Sequence, residues 1–176
     1  MKIGKTNSAH SSKFSRLILK KSGVRMGRGR GGYTEKQVWY KDSGGHKVTD
    51  PGAIFVGERY IDQGYETVFV QEHDGQRNFD LTIKTSDDRT IIKNIEVKRS
   101  TSPKGSQMAK NIERGFDQVK ESGTVAIYLP NHKNCDSGRE FARKGYEEAK
   151  RKGNVKGPVE VWFSDKTKIE FKYKSK

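Results

Sequence analysis

Two stretches of this chain alternate residue by residue between apolar and polar side chains, with only a short polar segment between them. In the first, Phe79, Leu81 and Ile83 are interleaved with Asp80 and Thr82; in the second, Ile95 and Val97 are interleaved with Asn94, Glu96 and Lys98. A period of two sends successive side chains to opposite faces of a strand. The pattern therefore predicts strands over 78–84 and 91–99, joined by a polar hairpin loop over 86–89. One face, with Phe79, Leu81, Ile83, Ile95 and Val97, must be buried. The other gathers Asp80, Glu96 and Lys98. A β-branched and aromatic run over 65–71, followed by the turn His73-Asp74-Gly75-Gln76, adds a strand in front and completes a meander.

The remaining elements follow from periodicity and punctuation. A helix is predicted over 51–63, with Asp50 as its cap, Pro51 at its first position, Ile54, Phe55 and Ile61 inside, and Gly64 beyond its end. Met108, Ile112, Phe116 and Val119 recur at spacings of three and four, which predicts a helix over 105–121 with one apolar stripe, ended by Gly123. The apolar run 125–129, bounded by Gly123 and Pro130, reads as a buried strand. A charged helix over 136–152 is capped by Asp136 or Ser137, and two last strands, 159–163 and 168–173, close around the turn 164–167. The order α, β, β, β, α, β, α, β, β predicts an α/β fold with a mixed central β-sheet flanked by helices.

Charge divides the chain into two parts. Lys and Arg number 36 against 22 Asp and Glu, a net charge of +14 that points to a polyanionic partner. Residues 1–32 hold five Lys, four Arg and no acid, so this arm carries +9 and the remainder only +5. The arm ends in Gly27-Arg28-Gly29-Arg30-Gly31-Gly32 and reads as a flexible basic linker, with one short helix from Ser12 to Gly23. Residues 33–176 form the main domain. The single cysteine, Cys135, excludes an internal disulfide and a zinc cage of several thiolates. No apolar run reaches the ~18 residues of a membrane span, and the chain reads as soluble and without a signal peptide. The glycine-rich run lacks the Lys-Ser/Thr ending and the preceding strand of a nucleotide-binding loop.

The acids on the polar strand face suit a definite chemistry. Mg²⁺ takes hard oxygen ligands and binds through one or two carboxylates while keeping waters and substrate phosphate oxygens. Asp80 and Glu96 supply two carboxylates, and a metal held there, Mg²⁺ or Mn²⁺, would lower the pKa of a bound water and offset charge on a phosphate. Lys98 would orient the water or donate to the phosphate. The same three residues also suit a solvated strand face, where Glu96 and Lys98 would form a surface pair worth at most about 1 kcal/mol. After this strand, Arg99, Ser100, Thr101 and Lys104 lie just before a helix N-terminus, which favours anions; a plain cap by Ser102 accounts for the segment equally well. Asn111 and Gln118 are two turns apart on one helix face, within reach of a phosphate or base, or solvated.

At Glu58, Asn78-Phe79-Asp80 and Ile95-Glu96-Val97-Lys98 the sequence resembles the PD-(D/E)xK nuclease superfamily, with a restriction-endonuclease-like core, over roughly residues 52–129. The family's usual proline before the aspartate is replaced by Phe79. The resemblance implies that Glu58 is a helix-borne carboxylate near the metal, that Asp80 and Glu96 are metal ligands, and that Lys98 is the catalytic lysine. A narrower resemblance, from Gly57-Glu58 through Gly64-Tyr65 to Glu96-Val97-Lys98-Arg99-Ser100-Thr101-Ser102-Pro103-Lys104 and the helix carrying Asn111, Ile112 and Gln118, is to the C-terminal nuclease toxin domain of contact-dependent growth-inhibition (CdiA-CT) effectors. That family implies a toxin of interbacterial competition cutting nucleic acid, tRNA ahead of DNA. It also implies a cognate immunity protein, and delivery from a secreted or cell-surface effector into the target-cell cytoplasm.

Two other functions compete on the residues alone. One is a non-catalytic nucleic-acid-binding domain in which Asp80 and Glu96 are ordinary surface acids. The other is a metal-independent RNase using His46 or His73, the more accessible of the four scattered histidines. His132 and Cys135 are too few for a zinc site, and Trp39, Tyr40, Trp162 and Tyr173 serve either as base-stacking surfaces or as core.

Overall fold

The structure is a computed structural model in which residues 40–70, 79–87, 89–119 and 123–173 are described. The chain divides into one unit up to Trp39 and a second from Tyr40 onward, and all described residues belong to the second. The basic arm of 1–32 and its short helix, Trp39 and the turn carrying His73 lie outside the described residues.

Among the described residues three helices and six strands follow one another in the predicted order: α1 (Pro51–Asp62), β1 (Glu66–Phe69), β2 (Leu81–Lys84), β3 (Ile91–Arg99), α2 (Gly105–Val119), β4 (Thr124–Leu129), α3 (Asp136–Arg151), β5 (Val159–Phe163) and β6 (Lys168–Phe171). The strands form one sheet in sequence order, antiparallel at both ends and parallel through β3, β4 and β5. The parallel steps require crossovers, which α2 and α3 supply. The result is an α/β fold with a mixed central sheet flanked by helices.

The two faces of the sheet bury different clusters. On one face α1 packs Ala53, Val56 and Tyr60 against Leu81, Ile83, Ile95, Val97, Ala126 and Trp162. On the other, α2 and α3 pack Met108, Ile112, Phe116, Ala142 and Tyr146 against Val125, Ile127, Leu129, Val159, Val161 and Phe163. The predicted cap of α1 is present: Asp50 Oδ1 accepts the Ala53 N–H at 2.6 Å, with Pro51 opening the helix. Gly115 lets α2 settle onto β4, since a Cβ there would lie 2.6 and 2.8 Å from the two Val125 methyls. No helix among the described residues is long and apolar enough to cross a membrane.

Phe79 departs from the predicted alternation. Leu81 and Ile83 enter the α1-side cluster as expected, whereas Phe79 packs against the α2–α3 cluster. The chain bends at Asp80 and β2 starts only at Leu81, so the period of two does not reach back to Phe79.

Candidate functional site

The α2-side face of the sheet changes character between β4 and β3. In β4 the side chains on that face are Val125 and Ile127; their register partners in β3 are Glu96 and Lys98. In β2 the alternation that buries Leu81 and Ile83 under α1 sends Thr82 to this face, and Thr82 Oγ1 meets Asn94 Oδ1 at 2.9 Å. The apolar stripes of α2 and α3 cover β4 and β5, and the polar residues of β2 and β3 lie beside them.

Asp80, Glu96 and Lys98 come together here. Lys98 Nζ donates to Glu96 Oε1 at 2.5 Å, and the Glu96 side chain is 2% exposed against 26% for Lys98. Asp80 Oδ2 accepts the backbone N–H of Val97, the residue between them, at 2.7 Å. Because the chain bends before Leu81, the Asp80 carboxylate takes an N–H that a longer β2 would have met with its own backbone. Its side chain is thereby fixed at the end of the ladder, beside the Glu96 and Lys98 pair. The pair is therefore not the fully solvated surface pair that the spacing alone also allows.

Glu58 is placed otherwise. It lies on α1, which packs on the Ile95 and Val97 face, opposite to Glu96 and Lys98. Its carboxylate accepts from Tyr40 Oη at 3.2 Å and from Arg59 at 3.4 Å. Burial and the Glu58 charge push the Tyr40 hydroxyl up to about 12, so it remains a donor. Among the described residues no three His, Cys, Asp or Glu side chains form a group able to hold a metal, so the expected gathering of three acids reduces to Asp80 and Glu96. That remaining pair fits Mg²⁺ in its donor chemistry: two carboxylates, hard oxygen throughout, are what this ion takes from a protein.

Lys98 opens onto a cleft of about 400 Å³ whose other walls come from α2: Asn111, Arg114, Asp117 and Gln118. Asn111 and Gln118 are thus brought to Lys98 as sequence-named residues, with Asn111 mostly buried and accepting from Gln107 at 3.2 Å. Arg114 and Asp117 are additions. The signal for Arg114 lay in the sequence, since 111, 114 and 118 share one helix face, but which helix face meets β3 depends on packing.

The segment before α2 is less uniform than its sequence implied. Arg99, Thr101 and Lys104 are exposed, while Ser100 is buried. Ser102 Oγ accepts the Lys104 N–H at 3.2 Å, a local turn in the manner of the alternative reading. Of the other weak signals, His132 stacks on Phe141, Cys135 is an exposed thiol, Trp162 is core, and His46 is an exposed partner of Asp42 at 3.5 Å.

No family model matches the chain, and no curated protein matches it. Among solved structures, a chain of the CdiA-CT/CdiI toxin and immunity complex from Burkholderia pseudomallei is similar at 13% identity and a TM-score of 0.47, covering 69% of this chain and 82% of that one.

Proposed function

We propose that this chain is a metal-dependent nuclease of the PD-(D/E)xK type. In this reading it is the toxin domain of an interbacterial competition system, hydrolysing phosphodiester bonds of tRNA and neutralised by a cognate immunity protein. The observation that carries the nuclease reading is the junction of Asp80, Glu96 and Lys98 at the edge of an open cleft. A strand face bearing acids is common; one in which a buried glutamate holds its lysine on a cleft lined with Asn, Arg, Asp and Gln, next to an aspartate locked by a backbone N–H, is suited to phosphate chemistry. The toxin role and the preference for tRNA rest on the sequence resemblance.

Asp80 and Glu96 would hold Mg²⁺ through their oxygens, and when bound the ion would supply an activated water and a cation against the phosphate. Everything else falls to the chain's own groups. Burial of Glu96 keeps water from competing for its oxygens. Its charge holds Lys98 at the cleft, where the ammonium donates to a non-bridging phosphate oxygen as negative charge builds there. Asn111 and Gln118 offer amide donors and acceptors to the sugar or base, and Arg99 and Lys104 offer an exposed basic margin with the Thr101 hydroxyl between them.

The test is direct. Purified chain is incubated with total RNA and, separately, with plasmid DNA, in Mg²⁺ and in EDTA. The reading expects the tRNA pool to fragment in Mg²⁺ and to stay intact in EDTA. Fragmentation that survives EDTA would move the assignment to a metal-independent RNase, and intact substrates throughout would leave a binding domain.

A further inference from the structure

Arg114 is the cleft cation to which the sequence reading gives no part. It is an exposed residue of α2 that lines the cleft with Lys98. Arg59, Arg89, Arg139 and Arg143 are each held by a carboxylate. Arg114 has no such partner among the described residues; Asp117, one turn further along α2 and on the same cleft, lies instead 3.8 Å from Lys156 Nζ. One turn of helix on either side, Asn111 and Gln118 share its face. A guanidinium is a planar fork of N–H donors matched to phosphate oxygens, and unlike Lys98 this one is not drawn to a neighbouring acid.

We propose that Arg114 binds a backbone phosphate flanking the scissile one, so that α2 lays the nucleic-acid strand across Asp80 and Glu96 with Asn111 and Gln118 beside the intervening nucleotide. This rests on the nuclease reading above. In that arrangement Lys98 and Arg114 divide the work. Lys98 serves the phosphate that reacts, and Arg114 fixes the register by which a particular phosphate arrives there. Arg114 is a substrate-binding residue, and its contribution belongs to affinity and to its dependence on salt.

Binding is measured with fluorescein-labelled unfractionated tRNA in EDTA. The full chain carries Glu96→Gln, alone or combined with Arg114→Ala or Arg114→Lys, and salt runs from about 50 to about 200 mM. Loss of one charge-assisted phosphate contact is expected to weaken binding roughly tenfold. It should also flatten the slope of log Kd against log salt by about 0.7 to 0.9. Arg114→Lys should keep the slope and lose part of the affinity. Unchanged affinity and slope in Arg114→Ala, or weaker binding with an unchanged slope, would overturn the assignment. The Glu96→Gln and parental chains are also compared for cleavage in Mg²⁺. Equal rates would overturn the nuclease reading itself, and so separate that failure from a failure of Arg114 alone.

Discussion

Replacing Glu160 by Gln probes the framework on the sheet face opposite the cleft. The carboxylate is 2% exposed. It accepts from Tyr60 Oη at 2.6 and 2.8 Å, from Lys93 Nζ at 2.8 Å and from Trp162 Nε1 at 3.0 Å, with Lys168 Nζ at 3.4 Å. These donors come from α1, β3, β5 and β6, so one acid ties the helix to three strands. Burial on its own would raise the Glu160 carboxyl, but the Lys93 charge, hydrogen bonds from Lys93 and Tyr60, and the Lys168 charge outweigh it and hold the group below its ordinary value. Gln preserves the shape yet presents an NH₂ to groups that are themselves donors. Removing one member of a buried ion pair costs about 3 to 5 kcal/mol. Lys93 and Lys168 retain 28% and 23% exposure and regain some hydration, so the lower end, about 3 kcal/mol, is expected. For a domain of this size that is about 6 to 12 °C in Tm. The assay is urea unfolding followed by circular dichroism in parent and variant across pH. A carboxyl lowered on folding stabilises fully above its unfolded pKa of about 4.3 and loses that contribution as pH falls through the lower folded value. The parent's advantage over Glu160→Gln should therefore be constant from about pH 5 to neutrality and shrink in acid. A difference under about 1 kcal/mol at neutral pH, or one that grows on acidification, would refute the reasoning.

Gly115→Ala should destabilise by about 1 to 3 kcal/mol in thermal melts, because the new methyl meets both Val125 methyls, and Val125→Ala in the same chain should recover part of the loss. Asp50→Ala removes the acceptor that caps the Ala53 N–H, and urea titration should register about 1 kcal/mol lost.

Much of the fold was legible because its elements depend on local pattern. The alternation over 91–99, the spacing of Met108, Ile112 and Phe116, and the punctuation by Pro51, Gly64 and Gly123 carry the element order without tertiary information. The Glu96 and Lys98 pair was legible for the same reason, being two residues apart on one strand. What escaped depends on packing between distant segments. Phe79 left its expected face because the chain bends at Asp80. Asp80 meets Val97 through a backbone N–H, a partner that no side-chain pattern announces. Glu58 required the side of the sheet taken by α1, and Arg114 required the rotation of α2 against β3. The Glu160 network joins residues as far apart as Tyr60 and Lys168, and in sequence Glu160 is simply an acid inside an apolar strand.

The most direct test of the central claim is the initial rate of tRNA cleavage in Mg²⁺ by the parental chain and by Glu96→Gln, each verified as folded by circular dichroism. If Glu96 is an oxygen ligand to the ion and the anchor of Lys98, the substitution lowers the rate by about a thousandfold or more. A folded Glu96→Gln chain that cleaves at the parental rate would contradict it.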